Sequence, residues 1–68
     1  MKKTAFWVVI HIAHSEEKAL EIREKLTQEG FMVDIRAVSG DAGAQVYEIL
    51  ALSSEAREAR SMMAELRV

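Results

Sequence analysis

From Phe6 to Ala13 the chain reads Phe-Trp-Val-Val-Ile-His-Ile-Ala. This run, rich in β-branched and aromatic residues, predicts a strand. Its even positions, Phe6, Val8, Ile10 and Ile12, are all apolar, whereas Trp7, Val9 and His11 are mixed. Successive strand side chains point to opposite faces. The even set is therefore expected on a core and the odd set on a partly covered face. The period then changes. Ala19, Ile22 and Leu26 fall on one stripe at helical spacing. Ser15 supplies an N-cap, and Glu16 and Glu17 suit the positive end of a helix. Glu21 and Lys25 stand in a favourable i,i+4 relation on the outer side. Gly30 is expected to end the helix as a left-handed residue, which lets Phe31 fold back onto Leu26.

From Met32 to Val38 the alternation returns, with Val33, Ile35 and Ala37 expected inward and Asp34 and Arg36 outward. Ser39 to Ala44, with glycines at 40 and 43, predicts a turn-forming loop. Gln45 to Leu52 predicts a third strand, with Tyr47, Ile49 and Ala51 on the core face and Val46, Glu48 and Leu50 on the open one. Glu48 sets that choice, because an unpaired buried carboxylate is costly. Ser53 or Ser54 is expected to cap a last helix with Glu55 in its first turn. Ala56, Ala59, Met63 and Leu66 form its inner stripe, flanked by Met62. The order is strand-helix-strand-strand-helix, so the fold class is α+β. A right-handed crossover joins strands one and two, and the short loop makes strands two and three a hairpin. Placing strand three between the others makes all neighbours antiparallel. The expected architecture is a ferredoxin-like βαββα domain spanning residues 1–68, sheet order 1-3-2, with both helices on one face. Strand one is then left at an edge, which is a liability unless something covers it.

Length and charge narrow the function classes. At 68 residues the chain buries only about 60% of its unfolded surface, and small folds usually gain support from a disulfide, a metal or another chain. There is no cysteine, which excludes disulfides and thiolate metal sites and leaves self-association as the expected support. The net charge of −2 lacks the basic excess of a nucleic-acid binder or of a protein held on an anionic membrane surface. Lys2 and Lys3 before the apolar run superficially look like a signal peptide, but His11 interrupts the run and no small-x-small cleavage site follows. The run is too short to span a bilayer. A cytoplasmic location is expected.

The segments Val8 to Ala13, Ala19 to Gly30, Tyr47-Glu48-Ile49-Leu50 and the Ser-Glu-Ala-Arg-Glu-Ala helix start together resemble a group of very short bacterial proteins described as signal-transducing or PII-like. The group's pattern is an apolar strand, a helix ending in Glu-Gly, and a late Glu-Ile-Leu-Val-Pro-Glu strand running into a Glu-Ala helix. The resemblance covers most of the chain. Ala51-Leu52-Ser53 stands where Val-Pro-Glu is usual, and Ala13-His14-Ser15 where Ala-Pro-Asn is usual. The resemblance implies a ferredoxin-like regulatory protein and carries over no catalytic residue. Some similar short proteins bear the name glutamate decarboxylase. That chemistry needs a large pyridoxal-phosphate cleft and a Schiff-base lysine, whereas Lys18 and Lys25 fall on the solvated side of a helix.

Candidate chemistry is sparse. His11 and His14 are the only histidines. With Asp34 or Glu48 they make at most a partial metal-ligand set, so no metal site is assigned. Gly40 and Gly43 can shape a backbone nest for phosphate, but no Walker-type lysine follows, and a hairpin loop accounts for them. Trp7 on an open sheet is the start of a base-stacking platform, but it lacks a second aromatic and a basic surround. Arg23, Arg57, Arg60 and Arg67 are interleaved with Glu55, Glu58 and Glu65 and read as solvated faces. Met62 and Met63 read as core filling. Caps, a turn and a solvated helix position account for the serines, so no catalytic residue and no cofactor are assigned. The candidate binding or oligomer surface is Trp7, Val9, His11, Arg36, Glu48 and Leu50. The expected function is a non-catalytic regulatory or interaction module acting as a homo-oligomer or on another protein. The competing expectation is a small-ligand-binding protein or minor enzyme using the same open face or a cleft between two copies.

Overall fold

A computed structural model describes residues 6–40 and 43–68. Five elements follow in order: β1 (Trp7–Ala13), α1 (Glu16–Gln28), β2 (Val33–Ser39), β3 (Gln45–Leu52) and α2 (Ala56–Leu66). The strands form one antiparallel sheet in the order β1-β3-β2. This is the expected α+β, ferredoxin-like βαββα arrangement. The last strand in sequence occupies the centre, so the most apolar segment, β1, lies at an edge.

The core is the layer between the sheet and the two helices. Ile22 and Leu26 of α1 and Ile49 of β3 are its largest fully buried side chains. Ala13, Ala19 and Met63 complete the cluster, with Ile10, Phe31, Val33, Ile35, Tyr47, Met62 and Leu66 packed around it. Both helices contribute to this one cluster, α1 packing over β2 and β3 and α2 over β1 and β3. The opposite face of the sheet carries no helix.

The ends of α1 follow from its residues. Ser15 has extended backbone angles, and its side-chain oxygen accepts from the Lys18 N–H at 3.1 Å, satisfying one of the free donors of the first turn. At the other end Gly30 has φ +96°. Its N–H donates to Thr27 O at 3.0 Å, and Phe31 N–H donates to Leu26 O at 3.1 Å. These are the paired closing bonds of a Schellman motif, and they bring Phe31 onto the core beside Leu26.

The start of α2 differs from the expectation. Its N-cap is Glu55, whose side chain makes no capping bond to the helix, and neither Ser53 nor Ser54 caps it. Ser53 instead extends the sheet: its N–H donates to Phe6 O at 2.6 Å, and its Oγ lies 3.4 Å from Phe6 N. The Glu55 carboxylate accepts the Met32 N–H at 3.2 Å, tying the head of α2 to the approach of β2. The other end of α2 closes on Arg67 with φ 59°. The main-chain N–H groups of Arg67 and Val68 both reach Met63 O, and Val68 packs on the core.

The second correction lies in β1. Trp7, Val8 and Val9 stand opposite Leu52, Ala51 and Leu50, but His11, Ile12 and Ala13 stand opposite Ile49, Glu48 and Tyr47. Ile10 is therefore an extra residue, and β1 carries a β-bulge. Inserting one residue exchanges the faces of everything after it. Ala13 becomes a core residue at 2% exposure, while Ile12, expected inward, is 45% exposed on the open face.

Candidate functional site

The open sheet face is built from ladder partners, because residues directly opposite on neighbouring strands share a face. Three rows cross it. Trp7 lies beside Leu52; Val9, Leu50 and Asp34 form the next row; Ile12, Glu48 and Arg36 form the third. Val46 and Val38 stand opposite each other beyond them. The face is thus apolar along β1 and charged along β2, with β3 grading between the two.

Of the six residues expected there, the structure brings together five: Trp7, Val9, Arg36, Glu48 and Leu50. His11 departs. The bulge sets it opposite Ile49, on the helix-bearing side, where it is exposed at the sheet margin. Ile12 takes its place in the row with Glu48. Period-two alternation pointed the wrong way for both residues, and Val-Val-Ile-His-Ile offers no glycine or turn residue to mark the insertion.

Arg36 and Glu48 form the one polar contact between side chains on this face among the described residues. Arg36 Nε donates to Glu48 Oε1 at 2.8 Å, and Nη2 reaches the same oxygen. Glu48 is largely covered, at 20% side-chain exposure, while Arg36 is 62% exposed. The guanidinium acts as a lid over the carboxylate. Such a pair, open to solvent on one side, contributes on the order of 0–1 kcal/mol. It cancels charge at the middle of the face. Leu50 is 7% exposed even without a helix above it, whereas Trp7 remains 44% exposed.

Among the described residues no polar or charged side chain is buried, and no three His, Asp or Glu side chains converge as metal ligands would. A shallow hollow between the end of α1 and α2 is lined by Phe31, Arg57, Glu58, Ser61, Met62 and Glu65. It opens broadly to solvent and sets one cation among two carboxylates, with no histidine near Ser61 to activate it. Of the arginines read as solvated, Arg60 has a structural role: its Nη2 donates to Val9 O at 3.2 Å, at the bulge. The Gly40–Gly43 nest considered above spans residues 41–42, which lie outside the described residues. Comparison with known protein families, with curated proteins and with solved structures finds no match.

Proposed function

We propose that this chain is a non-catalytic regulatory or protein-interaction module, similar to the PII-like group, that works in the cytoplasm as a homo-oligomer. The observation that carries this reading is the uncovered sheet face. Both helices lie on the other side, and Trp7 and Ile12 expose nearly half their surface side by side with Val9 along β1. An apolar strand of this kind on a small domain is the signature of a surface that meets another protein. Size argues the same way, since about 60% surface burial leaves a chain of this length marginal when alone. The Arg36–Glu48 pair supports recognition over catalysis. Each group neutralises the other, so the face presents paired charge beside its apolar strand. Among the described residues no helix is long and apolar enough to cross a membrane, in keeping with a module that acts on proteins. Sedimentation velocity across micromolar concentrations tests the reading: a mass above that of one chain is expected, and a strictly monomeric chain throughout would refute it.

A further inference from the structure

We propose that two copies associate face to face, as an aligned sandwich of their open sheets, and not edge to edge. This rests on the homo-oligomeric reading above and assigns its surface and its symmetry.

Each edge strand of the sheet already has a main-chain group bonded to a side chain. On β1 the bulge at Ile10 breaks the regular ladder that an added strand would need, and Arg60 from α2 holds the Val9 carbonyl. On β2 the Asp34 carboxylate accepts the Ile35 N–H at 2.8 Å, and Glu55 accepts the Met32 N–H just before the strand. An incoming strand would have to displace these contacts before making its own. Bulges and charged side chains of this sort are how sheets discourage edge pairing. The bulge has the opposite effect on the open face. By turning Ile12 outward and His11 away, it replaces a polar residue with an apolar one beside Val9.

The face is also complementary to itself. Val9, Leu50 and Asp34 lie in one row, and Ile12, Glu48 and Arg36 in the next. A two-fold axis lying in the interface between these rows sets each row against the other row of the second copy. Asp34 then meets the partner's Arg36, and Val9 meets the partner's Ile12. Each contact occurs twice, as an isologous interface requires. Asp34 uses one carboxylate oxygen on Ile35 N–H and keeps the other for the guanidinium. Glu48 stays neutralised by Arg36 of its own chain. Two identical sheets have the same twist, which is the condition for aligned packing. Three strands of seven or eight residues give a footprint of about 25 by 14 Å. That is about 350 Å² per copy, less than half of the roughly 800 Å² per partner of a standard interface, so a weak, transient dimer that dissociates at high micromolar concentration is expected.

The test measures self-association of the full chain by sedimentation from about 1 to about 500 µM, a range that brackets such an interface, with Trp7 emission read alongside. Two variants spare the fold. Ile12→Lys sets a cation beside Glu48 in its own chain, and Asp34→Asn keeps an oxygen to accept the Ile35 N–H while removing the charge offered to the partner's Arg36. The sandwich predicts that Trp7 emission moves to the blue as the mass rises. Each variant should weaken the dimer at least tenfold while its circular dichroism stays unchanged. A dimer with unshifted Trp7 emission, assembling equally well in both variants, would overturn the sandwich and leave the homo-oligomer standing. A monomer at every concentration would overturn both. Trp7 shielded only after addition of a cell extract would assign the face to a different protein and overturn the second copy as its occupant.

Discussion

Replacing Gly30 with alanine isolates one backbone angle. Gly30 has φ +96°, and a Cβ built there meets nothing within 4 Å. Gly30→Ala therefore introduces no clash with the rest of the fold, and its whole effect is conformational. Holding an L-residue in the left-handed region costs about 1–2 kcal/mol. Against this, alanine narrows the unfolded ensemble, which contributes about 0.4–1 kcal/mol in the other direction. A net loss of about 1 kcal/mol is expected. The alternative to bearing that strain is to break the two closing bonds, Gly30 N–H to Thr27 O and Phe31 N–H to Leu26 O. That would also lift Phe31 from the core, so the loss should not exceed the cost of the motif. In a domain of 68 residues, 1 kcal/mol lowers Tm by about 4–8 °C. Urea denaturation followed by far-UV circular dichroism measures it directly, with an unchanged m-value showing that the same surface is exposed on unfolding. Chemical synthesis of the chain with D-alanine at position 30 supplies the control. The mirror-image residue accepts this φ, so it should match or exceed the glycine protein in stability. Equal destabilisation by both enantiomers would refute the conformational account, as would an L-alanine protein as stable as the parent.

Two further outcomes test the helix ends. Ser15→Ala removes the acceptor of Lys18 N–H and should cost about 1 kcal/mol, whereas Ser54→Ala, in a residue first expected to cap α2, should change stability by less than about 0.5 kcal/mol; equal losses by chemical denaturation would contradict the capping assignment. Arg67→Gly relieves an L-residue at φ 59° and should raise stability by about 0.5–1 kcal/mol, so a fall in Tm would show that the arginine side chain contributes more than its backbone strain removes.

The order of elements and the sheet topology were legible because each rests on local signals. The stripe Ala19, Ile22 and Leu26 marks α1, the Gly30-Phe31 pair marks its end, and the alternation around Asp34, Arg36 and Glu48 marks which face of β2 and β3 is open. Those three charged residues anchor the register, because burying any of them unpaired would be costly. In β1 that anchor is missing. Phe6 to Ile12 contains only apolar residues and one histidine, and a histidine is tolerated on either face of an edge strand. A one-residue insertion there alters no local pattern. The head of α2 was misread for a different reason. Ser53 and Ser54 have the chemistry of caps, but Ser53 is drawn into the sheet by Phe6, and Glu55 is held by Met32, 23 residues earlier in the chain. Contacts between segments so far apart leave no trace in spacing. The candidate face was legible to the same degree: five of its six residues follow from alternation, and Ile12 enters only through the bulge.

The central position of β3 has a consequence for the order in which the chain can fold. β2 and β3 are neighbours in sequence and can close as a hairpin on a microsecond timescale. β1 has no strand to pair with until residues 45–52 have been made. During synthesis at about 5–20 residues per second, the interval between completing β1 and completing β3 is about 2–8 seconds. Throughout it the most apolar segment of the protein has no ladder partner from its own chain. The bulge at Ile10 is a feature of the β1–β3 ladder, so it guards the edge of the finished sheet and gives the unpaired nascent strand no such protection.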